Sequence, residues 1–238
     1  MNKLIIILSL VLSYGIFSDD HLEMETTDGA FTTLMLASSD IEKYVETLKS
    51  NTSAFAATGA TDAGVCITRS GNEYPGQMMV WSAFPNVEAA LVGSLNYDPQ
   101  NAPASFAELR EPKYGSTWKP AKPARLDPGY ERVQRVNVPN EKFQDFIMAI
   151  TALEKAIIDA GHEEFYNGVY IPIGGGTHEA QTVMVRSITP DASSFGKIID
   201  EYFDGNATWA DEWMSLQAIG GTIISDSFEE CEQTYFTN

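Results

Sequence analysis

Apolar residues recur along this chain with two different periods, and the points where the period changes mark out its elements. Phe31 to Ala37 and Glu131 to Val138 read as strands. After the first, Ser39-Asp40-Ile41-Glu42 has the Ser-x-x-Glu spacing of a capping box, which satisfies orphan N–H groups where a helix begins. After the second, Phe143, Phe146, Ile147, Ile150, Leu153 and Ile157 recur at three- and four-residue spacing, and Gly161 sits where a helix C-terminus favours glycine. Paired strands follow in each half: Gly64 to Thr68 with Gln77 to Ala83, and Gly168 to Ile173 with Gln181 to Ile188. Ser70-Gly71-Asn72 and Gly174-Gly175-Gly176 supply the turn residues between them. Pro85-Asn86 and Pro190-Asp191 then introduce second helices, carrying Leu91 and Leu95 in one half and Phe195, Ile198, Ile199 and Tyr202 in the other. A last strand closes each half. It falls near Lys113 to Lys122 in the first, and at Thr222 to Ser225 or Cys231 to Phe236 in the second.

The halves also match residue by residue. Gly64-Val65-Cys66-Ile67 aligns with Gly168-Val169-Tyr170-Ile171 at an offset of 104. Met79-Val80-Trp81-Ser82 aligns with Met184-Val185-Arg186-Ser187 at an offset of 105, and the extra residue falls in the glycine-rich turn, where insertions are tolerated. The matches stay in order and shift only in loops, as expected of an internal duplication. Each copy reads β-α-β-β-α-β, the split βαβ or ferredoxin-like unit. The fold class is therefore α+β, with a first repeat over residues 28–110 and a second over 130–238. Residues 111–129, rich in Pro, Lys and Arg, read as a linker that also carries the first closing strand.

A ferredoxin-like unit covers one sheet face with helices and leaves the other bare, so two copies in one chain can hide their bare faces against each other as a pseudo-dimeric α+β barrel. In element order and repetition over about residues 30–238, the chain resembles the dimeric α+β barrel superfamily. That superfamily includes cofactor-free monooxygenases, EthD-like and NIPSNAP-like proteins. The resemblance implies the fold, and it raises cofactor-free oxygenation of an aromatic or apolar substrate as one activity.

Strand alternation identifies the residues on the inter-repeat face. Val169, Ile171 and Ile173 should meet the helices, as should Val183 and Val185; Tyr170, Met184 and Arg186 then point the other way. Transferred by the repeat offset, the same face in the first copy carries Cys66, Thr68, Met79 and Trp81. Cys66, Trp81, Tyr170, Met184 and Arg186 are accordingly the ligand-binding candidates, since pockets combine apolar walls with a few polar groups. The same residues suit a packed interface in which Arg186 pairs with a carboxylate and Trp81 fills volume. No catalytic set is legible. Gly-x-Ser-x-Gly is missing, three histidines are few for general-base chemistry, and a cysteine in an apolar strand is usually inert. His162-Glu163-Glu164 and His178-Glu179 lack further ligands at metal spacing, so neither a metal nor another cofactor is expected.

Composition narrows the partners. Hydrophobic residues make up 44% and aromatics 11%, enough for a packed core. A formal net charge of −18, from 33 acidic and 15 basic residues, repels phosphate backbones and excludes nucleic acid as a partner. Seven of the basic residues fall between Arg110 and Arg135, a segment suited to crossing an acidic body. Lys3, the apolar run Leu4 to Leu12 and the small residues around Gly15 and Ser18 have the layout of a secretory signal peptide over residues 1–18. The run is shorter than the roughly 20 residues a membrane span needs, so stable membrane insertion after cleavage is not expected. Cys66 and Cys231 lie 165 positions apart, a spacing compatible with a disulfide in an oxidising compartment and equally with two free buried thiols. The functional expectation is a periplasmic or extracellular, soluble, non-catalytic protein that binds a small apolar molecule or a protein partner at the inter-repeat face. The alternative is a cofactor-free, monooxygenase-like enzyme.

Overall fold

The computed structural model describes residues 28–237; segment 1–18, expected to be a signal peptide, lies outside them. The first copy comprises β1 (Ala30–Ser38), α1 (Ile41–Ser50), α2 (Ser53–Thr58), β2 (Asp62–Ser70), β3 (Gln77–Phe84), α3 (Val87–Ser94), α4 (Ala104–Ala107) and β4 (Arg110–Pro120). The second comprises β5 (Tyr130–Asn137), α5 (Phe143–Asp159), β6 (Tyr166–Gly174), β7 (Val183–Thr189), α6 (Ala192–Phe203), α7 (Ala210–Ile219) and β8 (Thr222–Phe236). The expected β-α-β-β-α-β order is present twice, with α2, α4 and α7 added.

All eight strands close into one barrel in the order β1-β3-β2-β8-β5-β7-β6-β4. Each copy contributes a four-stranded antiparallel sheet, and two seams join the copies. One is β2·β8, running from Asp62 opposite Phe236 to Ser70 opposite Phe228. The other, β4·β6, is shorter and pairs Ser116 to Pro120 with Gly174 to Tyr170. Closure removes the exposed edges that an isolated sheet would present. The 15-residue β8 contains both segments expected as alternative closing strands, because its first part pairs with β5 and its last part with β2.

Helices pack on the outside. Phe146, Ile150, Leu153 and Ile157 of α5 bury the predicted stripe against Val169, Val183 and Val185. In the first copy Tyr44, Val45 and Leu48 of α1 meet Leu36, Val65, Met78 and Val80. Among the described residues no helix is long and apolar enough to cross a membrane.

Local expectations need three corrections. The cap of α1 is Asp40, whose carboxylate accepts from the Lys43 N–H at 3.1 Å, and Ser39 instead donates its backbone N–H to the Leu109 carbonyl. Asp is as good an N-cap as Ser and lies one residue nearer the helix. Ile171 and Ile173, expected under the helices, are 38% and 37% exposed, since β6 runs on past the helical layer to reach β4. The link from β6 to β7 is a longer loop in which Gly174, Gly175 and Gly176 all take positive φ. Residues 110–120 form the closing strand expected near Lys113 to Lys122, and 121–129 connect the copies; there Lys122 bonds Glu154 at 3.0 Å and the Asn167 carbonyl at 2.9 Å.

Cys66 and Cys231 lie directly opposite each other across the β2·β8 seam and form a disulfide. It clasps the two copies across a sequence separation of 165, a long loop whose closure restricts the unfolded chain strongly. Replacing both with alanine should lower unfolding free energy by about 2–5 kcal/mol. Urea titration of the oxidised protein and the double variant would measure the loss.

Candidate functional site

The residues assigned to the inter-repeat face do meet inside the barrel. Cys66, Met79, Trp81, Tyr170 and Met184 belong to one buried cluster with Phe31, Met35, Trp118, Val133, Ile188 and Cys231. Two glycines at equivalent repeat positions make room for rings. A Cβ on Gly64 would sit 2.5 Å from the Trp81 indole, and one on Gly168 would sit 2.5 Å from the Tyr170 ring. The repeated Gly-Val pair therefore lets one large aromatic lie flat on the strand in each copy.

Arg186 occupies the centre of this cluster. Its Nε donates to Glu131 Oε2 at 2.5 Å and its Nη2 to Glu229 Oε2 at 3.1 Å. The same Nη2 lies 3.3 Å from both disulfide sulfurs. Deeper along the interior Arg135 makes a two-pronged pair with Glu179 at 2.7 and 3.0 Å, and the Tyr114 hydroxyl donates to the same carboxylate at 2.9 Å. The Arg135 guanidinium also covers the Trp118 ring, whose Nε1–H donates to Thr33 Oγ1. Both arginines and the three carboxylates Glu131, Glu179 and Glu229 are buried or nearly so.

Sequence reading does not place Glu131, Glu229, Arg135 or Glu179 in this interior, and it weighs Glu179 only as a metal ligand beside His178. Glu131, Val133 and Arg135 alternate on one strand face, which is the available signal; Glu179 comes from a loop, where no alternation indicates which way it points.

Three carboxylates face two guanidiniums in this interior, so one negative charge lacks a full partner. Burial accordingly raises the Glu131 carboxyl from 4.5 to about 7, with Arg186 opposing the rise and Glu229 adding to it. Burial likewise pushes the Tyr170 phenol up to about 12, which keeps it neutral and a poor base. Cys66, Glu131 and Cys231 bring three donor atoms together at metal-ligand spacing. The disulfide consumes both thiols and the Arg186 cation faces all three, so this arrangement does not suit a metal ion. His162 bonds Glu201 at 2.9 Å and His178 stacks on Tyr114 at 4.1 Å, in separate places.

The space left inside is small. A cavity of about 30 Å³ lies between Trp81, Tyr170, Arg186 and the disulfide, beneath the loop Arg125 to Pro128. It has room for about one or two waters. A larger pocket, about 380 Å³, lies outside the barrel in the first copy, between the outer face of β1, β3 and β4 and the helices. Leu34, Val80, Phe55, Phe84 and Phe106 supply apolar walls, and Tyr97 and Arg110 supply polar ones. From sequence alone Arg110 reads only as part of the basic connector.

The fold matches those of several known proteins. An anthrone oxidase-like protein superposes with a TM-score of 0.52 at 11% identity, over 89% of this chain and 95% of that one. A Lactobacillus acidophilus protein assigned as a monooxygenase gives 0.54 at 10% identity, over 87% and 95%. The protein TA0507, assigned as a chlorite dismutase, gives 0.52 at 13% identity, over 88% and 96%. The sequence matches no protein-family model and no curated protein. The chain has the fold of the dimeric α+β barrel proteins, with both halves of the barrel in one polypeptide.

The raised Glu131 carboxyl fixes a sign. Between pH 4.5 and 7 the folded state holds this proton more tightly than the unfolded chain, so this group's contribution to stability falls as pH rises through that window. The fall should be visible in urea unfolding at pH 5 against pH 8, and Glu131→Gln, which stays neutral, should flatten it.

Proposed function

We propose that this chain is an exported, non-catalytic binding protein whose ligand is a small apolar molecule held in the first copy, between sheet and helices. The observation that carries the reading is the contrast between the spaces: about 30 Å³ inside the barrel against about 380 Å³ outside it in the first copy, where the lining is more apolar than in the second-copy pocket of about 320 Å³. Ligand pockets of drug-like size begin near about 300 Å³. Trp81, Cys66, Tyr170, Met184 and Arg186 then serve as the packed interface between copies. Arg186 is engaged with Cys66, Glu131 and Glu229. Export is supported by the Cys66–Cys231 disulfide, since such bonds persist in oxidising compartments.

Ser82 lies on the sheet floor of the larger pocket. Ser82→Phe should fill the floor, abolish uptake of small apolar molecules and leave the barrel folded. Native mass spectrometry of the gently purified protein provides the readout. A wild-type protein that takes up no small molecule from a varied apolar library would refute the reading and turn attention to a protein partner.

A second reading is favoured by the names of the similar structures, an anthrone oxidase-like protein and one assigned as a monooxygenase. Under it the chain oxygenates an apolar aromatic molecule inside the barrel, after the Arg125 to Pro128 loop moves away. Dioxygen consumption with anthrone as the trial substrate would separate the two. Turnover that disappears in Arg186→Ala, in a variant that remains folded, would favour the enzyme.

A further inference from the structure

The first-copy pocket contains a buried cation with an unusual set of neighbours. Arg110, at the start of β4, is only 8% exposed and lines the pocket. Its Nη1 donates to the Tyr44 hydroxyl at 2.9 Å, and its Nη2 donates to the Tyr97 hydroxyl and, at 3.4 Å, to the Pro99 carbonyl. All three acceptors are neutral. Its Nε–H, also buried, has no acceptor. Glu111, the next residue, turns to Lys113 at 2.8 Å, and among the described residues no carboxylate forms an ion pair with Arg110. Burial works against the charge, and the two phenols are the groups that offset it.

The interior arginines provide the contrast. Arg186 and Arg135 each hold a carboxylate at 2.5 to 2.7 Å, as a buried guanidinium ordinarily does. A guanidinium never loses its proton in a protein, so Arg110 cannot escape the cost of burial by neutralising. An anion from outside the chain would remove that cost. Its position in a mostly apolar wall sets the rest of the ligand: a single negative head with an apolar body.

We propose that the pocket binds an apolar monocarboxylic acid of the fatty-acid type. The carboxylate sits against the Arg110 guanidinium beside the Tyr97 hydroxyl, and the hydrocarbon lies along Leu34, Val80, Phe55, Phe84 and Phe106. This rests on the reading that the first-copy pocket is the binding site, and it adds the class of ligand. Single charge distinguishes this ligand from a phosphate ester, for which one guanidinium and two neutral phenols are a poor match.

Isothermal titration of the full mature chain with dodecanoic acid and with its methyl ester provides the test, because the two share a tail and differ in charge. The acid should bind about tenfold tighter or more, the range expected for a charge-assisted hydrogen bond. In Arg110→Met that preference should vanish while ester binding persists, and in Ser82→Phe both ligands should be excluded. Equal affinity of acid and ester for the wild type would overturn the proposal and leave the pocket reading standing. So would acid binding that survives Ser82→Phe, since the acid would then sit elsewhere. If neither compound binds the wild type, the pocket reading itself fails. Should Arg110→Met not fold, the acid-to-ester ratio of the wild type and its loss in Ser82→Phe decide the matter.

Discussion

A four-stranded sheet with helices on one side has a second face that water must not keep. Hiding that face is the constraint from which this protein's architecture follows. Each copy solves it by lending its bare face to the other, and the strand edges then meet along two seams. The seams differ in strength. One pairs nine-residue β2 along most of its length and carries the disulfide; the other pairs five residues of β4 with β6. Helices only need to cover the outside of the barrel, which leaves their packing freer to vary between copies.

That freedom shows in the outer layers. In the second copy Leu216 of α7 and Trp209 just before it join the hydrophobic layer, beside a pocket of about 320 Å³, while α2 and α4 border the first-copy pocket of about 380 Å³. The interior shows the opposite tendency. Two arginines, three glutamates, a disulfide and a stack of large rings fill it almost without remainder. Buried charges of this kind seldom add net stability relative to apolar packing, but removing one partner leaves the other stranded. Such an interior ties the two copies to one register.

Much of the fold was legible because the duplication supplies each signal twice. Gly64-Val65 and Gly168-Val169 mark the same strand in both copies, and alternation from those points placed Trp81, Tyr170 and Arg186 inside together. What escaped has particular physical reasons. Asp40 displaced Ser39 as a cap because either residue satisfies the same N–H groups. Ile171 and Ile173 follow the alternation correctly, but no helix extends over that end of β6. Arg110 was unreadable because its pocket is walled by short, alanine-rich helices such as Ser53–Thr58, too brief to show a period. Its sequence neighbourhood, full of lysine and proline, suggested a solvated strip.

Trp81 and Arg186 occupy one and the same position of the repeat. In a dimer of identical subunits that position would have to hold the same residue twice, because rotational symmetry copies every side chain. Two arginines would then face each other across the interior with twice the charge to neutralise, or two tryptophans with twice the volume to place. A single polypeptide is released from that rule. It can set a ring in one half against a cation in the other. The joined chain thus does more than tether two subunits: it lets one position of the repeat supply bulk in one half and charge in the other.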